Sequence, residues 1–345
     1  MMRTFVVKTE ELPACPHCHS RRIKPWRTGR DRLYGLSQQE FKYSKCRDCA
    51  LVFLSLRPLE EEAPKFYPEH YGPYQAASAS SASSQESSTA STKRAGFVGK
   101  LAGRSLVRIL NSLNYRADKL LPDAVAAKIE QYYRPPAAGA RLLDFGCGSD
   151  VFLNWAAARG WDTTGLDFSE SVIKRVAGSG HRALLMSPSV WDEIEDGSLD
   201  FVRLSHVLEH LYEPNEVLRQ LQGKMKPGAL IHIAVPNPAC LTSHIFGARW
   251  FSLDCPRHVI LYSPAVLRRM LTGLDFAEPE FAHDVITKDF ARSLGYLMHE
   301  RGWIERSEVE GMLHRPALAG ALQLPAKLAA ALGLADRYHV FARKR

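Results

Sequence analysis

The sequence predicts an α/β fold built on a mostly parallel sheet, and three observations carry that prediction. Apolar residues run through 140–145 into a Gly-x-Gly turn at Gly146 and Gly148, and a helical pattern begins near Asp150. A second short apolar segment ends at Asp167, 23 residues after Asp144. Beyond it, apolar segments at 199–205 and 229–235 alternate with helical patterns, the order expected of strands joined by helical crossovers.

Taken in order, the first strand is expected over 140–145, a helix over 151–159 and the second strand over 162–167. Ser169 is placed to cap a helix running to about Ala177. Residues 183–186 read as a third strand and 199–205 as a fourth. A helix over 214–222, a turn at Lys226-Pro-Gly228 and a fifth strand over 229–235 follow. After a helix at 264–274 come strands at 276–284 and 338–343. The Ala- and Leu-rich stretch 285–335 between them reads as a helical insertion. Seven strands result.

Glycines at the first turn let a ligand approach the backbone, and the helix start offers unpaired N–H groups. An acid at the end of the second strand can accept hydrogen bonds from both ribose hydroxyls of a nucleoside. On these residues the chain resembles the class I S-adenosylmethionine (SAM)-dependent methyltransferases, whose first motif reads apolar-apolar-Asp-x-Gly-x-Gly-x-Gly. Asp144, Gly146 and Gly148 match it. Residues 199–211 resemble the family's fourth strand, and 226–237 its following turn and fifth strand.

The resemblance covers about 137–284. It implies a Rossmann-like seven-stranded sheet and SAM as cofactor. Asp144, Gly146, Gly148, Asp167, Ser187 and Ser205 would then line the cofactor site, with Met186 and Trp191 near the adenine. An NAD-binding domain is the rival reading of the Gly-rich turn; Glu209-His210-Leu211 and Lys226-Pro-Gly228 favour the methyltransferase. The motif's third glycine is Asp150 here. Its carboxylate either crowds the cofactor or caps the helix and points aside, and the second reading is preferred.

A methyl group on a sulfonium is already activated, so such a protein aligns the acceptor and, for a hydroxyl, removes a proton. His206, just past the fourth strand, is the best-placed base, and His258 is the second candidate. Glu209 and His210 would share a side with His206 in a helical turn, where pinning the loop is the favoured role. His206-x-x-Glu209-His210 also matches the inverted zinc peptidase pattern. That motif needs a continuous helix, and here it starts at a strand end, so it is set aside. In the related methyltransferases a Pro-Arg-His segment lies over the acceptor site. Arg257 would there hold a phosphate or carboxylate, or else tie a packed turn to a nearby carboxylate.

Residues 1–75 contain two Cys-x-x-Cys pairs, Cys15/Cys18 and Cys46/Cys49, with spacing suited to a structural Zn²⁺ ribbon. A module this short cannot build its own core, so the metal would supply much of its folding energy. Many bacterial methyltransferases of sugar, polysaccharide and secondary metabolism resemble this arrangement, with a Tyr-rich segment near the substrate. Tyr67, Tyr71 and Tyr74 are the matching candidates, with plain aromatic packing as the alternative. The Ser- and Ala-rich stretch 76–95 reads as a linker or mobile loop. Residues 96–136 read as helical packing on the core, with a basic stripe at Lys100, Arg104 and Arg108 that is read first as a solvated face and second as a dock for anionic lipid or a phosphate-bearing substrate.

The formal net charge is +8. Residues 1–136 carry 22 Lys and Arg against 13 Asp and Glu, whereas 137–345 carry 23 against 24. All the basic surplus therefore lies outside the expected cofactor domain (137–345), which suggests phosphate nearby or general solubility. Residues 1–11 lack the apolar run of an export signal, and no stretch approaches the ~20 apolar residues of a span. The paired cysteines suit a reducing compartment, so a cytoplasmic location is expected. The expected activity is methyl transfer to a small or phosphate-linked acceptor, a sugar, polysaccharide or envelope intermediate. One rival is a zinc-ribbon RNA methyltransferase, whose knuckles lie closer together and which would need stacking aromatics not found here. The other is a non-catalytic scaffold, should Asp150 abolish SAM binding.

Overall fold

The computed structural model describes residues 5–68 and 123–345. The expected linker, the basic stripe, Tyr71 and Tyr74 lie outside the described residues. Continuous apolar runs make a parallel sheet buried on both faces. Its strands are β5 (Arg141–Phe145), β6 (Asp162–Asp167), β7 (Arg182–Leu185), β8 (Leu199–Ser205), β9 (Met225–Pro236), β11 (Glu280–His283) and β12 (Arg337–Arg343). They stand in the order β11-β12-β9-β8-β5-β6-β7. Strands β5 to β9 pair in parallel, and β12 runs antiparallel between β9 and β11. The α/β expectation with seven strands is met, most of the strand bounds within a few residues.

The crossover helices are α2 (Val151–Ala157), α3 (Glu170–Gly178) and α4 (Pro214–Lys224), preceded by α1 (Ala124–Tyr132). Ser169 caps α3 as expected, its hydroxyl accepting from the Val172 N–H at 3.4 Å. One face of the sheet buries Leu143, Phe145, Val202, Leu204, Ile231 and Ile233. The other packs Leu142, Phe201, Leu230 and Phe341 against Tyr133 and Trp161. Lys226-Pro-Gly228 does not interrupt the fifth strand; it sits inside β9, where a register irregularity against β8 absorbs it.

The N-terminal sheet is antiparallel, in the order β1 (Thr9–Glu11), β4 (Val52–Pro58), β3 (Phe41–Cys46), β2 (Ile23–Gly29). Strand β4, whose 56–58 end pairs with β1, also pairs at 52–53 with β10 (Ile260–Leu261), contributed by the segment after β9. Phe41, Phe53, Leu54 and Phe66 are buried in the same cluster as Trp250, Tyr262 and Leu267. The ribbon therefore borrows a strand and a core from the rest of the chain, which the spacing of its cysteines could not reveal. Tyr43 is fully enclosed at this junction, its hydroxyl donating to the carbonyls of His258 (2.7 Å) and Leu253 (3.1 Å).

The helices α5 (Leu241–Phe246) and α6 (Pro264–Gly273) flank β10, and the insertion holds α7 (Lys288–Glu300), α8 (Arg306–Gly311) and α9 (Pro316–Ala331). Asp289 of α7 is buried, pairs with Arg337 of β12 at 2.8 Å and accepts from Ser252. The insertion is thus anchored through charge as well as apolar contact. Among the described residues no helix is long and apolar enough to cross a membrane.

Candidate functional site

The turn after β5 places Gly146 and Gly148 at φ +70° and +62°, the left-handed region that favours glycine. A Cβ at Gly146 would lie 2.5 Å from a methyl of Val207, so the turn also needs glycine for space. Asp167, at the end of β6, closes on this turn: one carboxylate oxygen accepts from the Gly148 N–H at 2.9 Å, the other from the Ser169 N–H at 3.0 Å. Burial pushes its pKa up, and these backbone donors pull it back in part. Glycine turn and acid thus meet as the sequence led one to expect.

Asp144 lies beneath the turn, fully buried, with one oxygen paired to Arg203 Nη1 at 2.8 Å and the other without a hydrogen-bond partner. Burial raises its pKa against the opposing Arg203 charge. Asp150 stands at the N-cap position of α2, but its carboxylate accepts from the side chains of Ser179 (2.6 Å) and Asn154 (3.1 Å) rather than from the first backbone N–H groups of the helix. It is turned toward the C-terminal end of α3. Ser187 bonds Ser189 at 3.2 Å, Ser205 is half-buried at the end of β8, and the Trp191 ring lies parallel to Phe145, 6.0 Å away.

His206 follows β8 with φ +57°, an uncommon conformation for a residue with a side chain, held by its N–H to the Ala234 carbonyl at 2.8 Å. Its ring is about a third exposed, with Nδ1 3.4 Å from the Glu209 carboxylate. Glu209 and His210 lie on a 3₁₀ turn, Leu208–His210, not on a long helix. Glu209 is wholly buried; burial would raise its pKa, but His206, His210 and His258 outweigh that and hold it at about 2. Burial first, and then His258, press His210 down to about 4. His258 is buried, and the structure brings it to Glu209, its Nε2 3.9 Å from the carboxylate. Tyr67 reaches the same place, its hydroxyl 3.0 Å from His210 Nδ1 and its ring 5.9 Å from Phe168.

Arg257 is spoken for. Its guanidinium, with no exposed side-chain surface, pairs with Asp31 (2.9 Å) and Asp254 (2.5 Å) and donates to the Phe66 carbonyl. This is the packed turn of the two readings, and it ties the N-terminal segment to the loop before β10. Sequence reasoning missed a polar chain on the other face of the sheet: Tyr133 to His232, His232 to His339 at 2.8 Å, and His339 to Asp284 at 3.1 Å. A signal existed, because His232 interrupts the apolar run Ile231–Ile233 of a buried strand.

The four cysteines predicted as ligands converge. Sγ atoms stand 3.5 Å apart for Cys15 and Cys49 and 3.6 Å for Cys18 and Cys46, and all four lie within 4.8 Å of one another. Tetrahedral Zn²⁺ with ~2.3 Å bonds needs sulfurs about 3.8 Å apart, so the set fits the ion. Hydrogen bonding from Cys49 lowers Cys15 to about 5 while the same contact raises Cys49.

Residues 115–278 match the family model described as a methyltransferase domain. The chain is 27% identical over 143 residues to a ubiquinone biosynthesis O-methyltransferase of Xanthomonas oryzae pv. oryzae, covering 39% of this chain and 57% of the relative. It is 32% identical over 129 residues to the protein of the same name from Bordetella avium, covering 34% and 53%. The chain thus spans about half the length of these curated relatives. A solved SAM-dependent methyltransferase from Archaeoglobus fulgidus aligns over 64% of this chain and 93% of its own at 22% identity, with a TM-score of 0.43. Residues 115–278 are thus similar to methyltransferase domains.

Proposed function

We propose that this chain transfers the methyl group of SAM to a hydroxyl of a small acceptor, with a structural Zn²⁺ on Cys15, Cys18, Cys46 and Cys49. The observation that carries the cofactor assignment is Asp167 closing on the Gly146–Gly148 turn, with a carboxylate oxygen 2.9 Å from the Gly148 N–H. Asp167 would hold the ribose hydroxyls, and Gly146 and Gly148 would admit the cofactor against the backbone. Asp144, locked to Arg203, would support the turn from below. Ser187 and Ser205 would border the cofactor at the ends of β7 and β8. SAM supplies an activated methyl group on a sulfonium.

His206 is the group we assign as base. It is the exposed member of the histidine cluster, and Glu209 beside Nδ1 would stabilise the imidazolium as the acceptor proton arrives. His258 is too enclosed to meet an acceptor first and would act behind His206. Oxygen as acceptor atom is supported by the names of the curated relatives. A sugar, polysaccharide or envelope intermediate is the narrower proposal, resting on the N-terminal resemblance alone. A phosphate on that acceptor would need a cation other than Arg257, which is internally paired.

We keep the boundaries 1–75, 76–95, 96–136 and 137–345 as proposed units, with the strand β10 reaching across, and a cytoplasmic location as suits reduced cysteines. The scaffold reading loses its motive because the Asp150 carboxylate is engaged by Ser179 and Asn154. Calorimetric titration with S-adenosylhomocysteine tests the core of the proposal. Micromolar binding is expected, weakened roughly tenfold or more in Asp167→Ala, since hydrogen bonds to a charged group contribute about 1.5–3 kcal/mol. Unchanged affinity in that variant would sink the ribose assignment.

A further inference from the structure

We propose that Glu209, His210 and His258 bind one divalent transition-metal ion, at a site distinct from the four cysteines. One ligand atom from each lies within 4.8 Å of the others. The histidine tautomers follow from their neighbours. His258 Nδ1 lies 2.9 Å from the Ser252 carbonyl and His210 Nδ1 lies 3.0 Å from the Arg257 carbonyl. A carbonyl only accepts, so each Nδ1 carries a hydrogen and Nε2 is the nitrogen each ring can offer an ion. Metal-binding histidines are oriented in this way, the outer nitrogen donating to a carbonyl while the inner one faces the ion. Tyr67 adds a second oxygen at His210 Nδ1, 3.0 Å away.

The carboxylate supplies the independent sign of a missing cation. Glu209 has no exposed surface, and neither side-chain oxygen has a hydrogen-bond partner among the described residues. The nearest nitrogens, His206 Nδ1 at 3.4 Å and His258 Nε2 at 3.9 Å, stand farther off than the ~2.7–2.9 Å of a charge-assisted bond. His258 Nε2 also lies 3.8 Å from Asp254, an acid already paired with Arg257, so Glu209 is the carboxylate left to be balanced. A buried carboxylate left in the state of Glu209 is costly, and a cation beside it removes the cost.

The framework is built before any ion arrives. The Val259 N–H donates to the Glu209 carbonyl at 2.8 Å, and the His258 N–H to the Asp254 carbonyl at 3.1 Å. These bonds clamp the loop that carries His258 onto the turn that carries Glu209 and His210. Two imidazoles and one carboxylate suit Zn²⁺, Fe²⁺, Co²⁺ or Mn²⁺ rather than an all-oxygen ion such as Mg²⁺ or Ca²⁺. His206 marks the more open side, where a water or acceptor oxygen would complete the coordination. Lowering the pKa of an acceptor hydroxyl there rests on the proposed methyl transfer; metal binding itself does not.

The test uses the full chain with Zn²⁺ already on its cysteines. Co²⁺ is titrated by absorption, and total metal is measured after desalting. One further equivalent is expected, with weak ligand-field bands and no thiolate charge-transfer band. Glu209→Gln and His258→Gln should each weaken it roughly tenfold or more. S-adenosylhomocysteine binding and circular dichroism, followed in parallel, show that each variant is folded and judge the cofactor reading separately. No second equivalent in the native chain would overturn the proposal, leaving protonated histidines as the balance for Glu209. A second equivalent that survives both substitutions would overturn it equally.

Discussion

The two sheets of this molecule are held by different means. In the seven-stranded sheet, apolar strands are buried on both faces, and residues such as Leu142, Leu143, Val202 and Ile231 are wholly enclosed. The N-terminal sheet has short strands, four clustered thiols and a strand, β4, that pairs with β10 from elsewhere. A small sheet that cannot enclose its own core needs a metal, a lent strand, or both. Here the dependence runs in both directions. The strand it borrows follows directly after His258, so the thiol cluster and the candidate site share one scaffold.

The largest test of that contrast is the metal. Replacing Cys46→Ser, or stripping zinc with a chelator, should cost on the order of 4 kcal/mol or more of stability. Hydrogen exchange should rise at Val259 and Leu54, whose backbones bond across the junction, while β5 and β8 stay protected. Unaltered thermal unfolding after zinc removal would break the comparison.

A smaller test concerns the charged groups that the seven-stranded sheet nevertheless buries. Asp336, just before β12, accepts from Trp250 at 2.8 Å and from Thr242, and burial together with Asp289 raises its pKa from 3.8 to about 6. The folded state therefore prefers the protonated acid. Its contribution is present below about pH 4 and is lost as pH rises through about 6, a change of about 3 kcal/mol. Denaturant unfolding across that window should show the decline, and Asp336→Asn should flatten it. An equal slope in the variant would assign the effect to another group.

The smallest effect is expected at Asp150. Its carboxylate makes no capping bond to α2, and glycine at an N-cap costs only a few tenths of a kcal/mol. Asp150→Gly should change S-adenosylhomocysteine affinity by less than about twofold. A large gain would show that the carboxylate does crowd the cofactor.

Much of the parallel sheet was legible because its signals are local. Strand and helix periods, the Gly146–Gly148 turn, the Ser169 cap and Asp167 each depend on residues close together in the chain. The cysteine pairs are of the same kind, since two short knuckles largely define where four thiols can go. Arg257 shows the limit: its sequence neighbours could not say whether its charge faces a ligand or Asp31, which comes from the distant N-terminal segment.

What the sequence determined by itself is therefore the order of elements, the glycine turn with its acid, and the thiol set, because backbone periodicity and short spacings dictate them. Tertiary structure alone decided that β10 completes the N-terminal sheet, that Arg257 is consumed internally, and that Glu209, His210 and His258 converge. Those outcomes depend on how separate segments pack and on which buried charges find partners. No local pattern encodes that, because the cost of a buried charge is set by whatever the fold brings beside it.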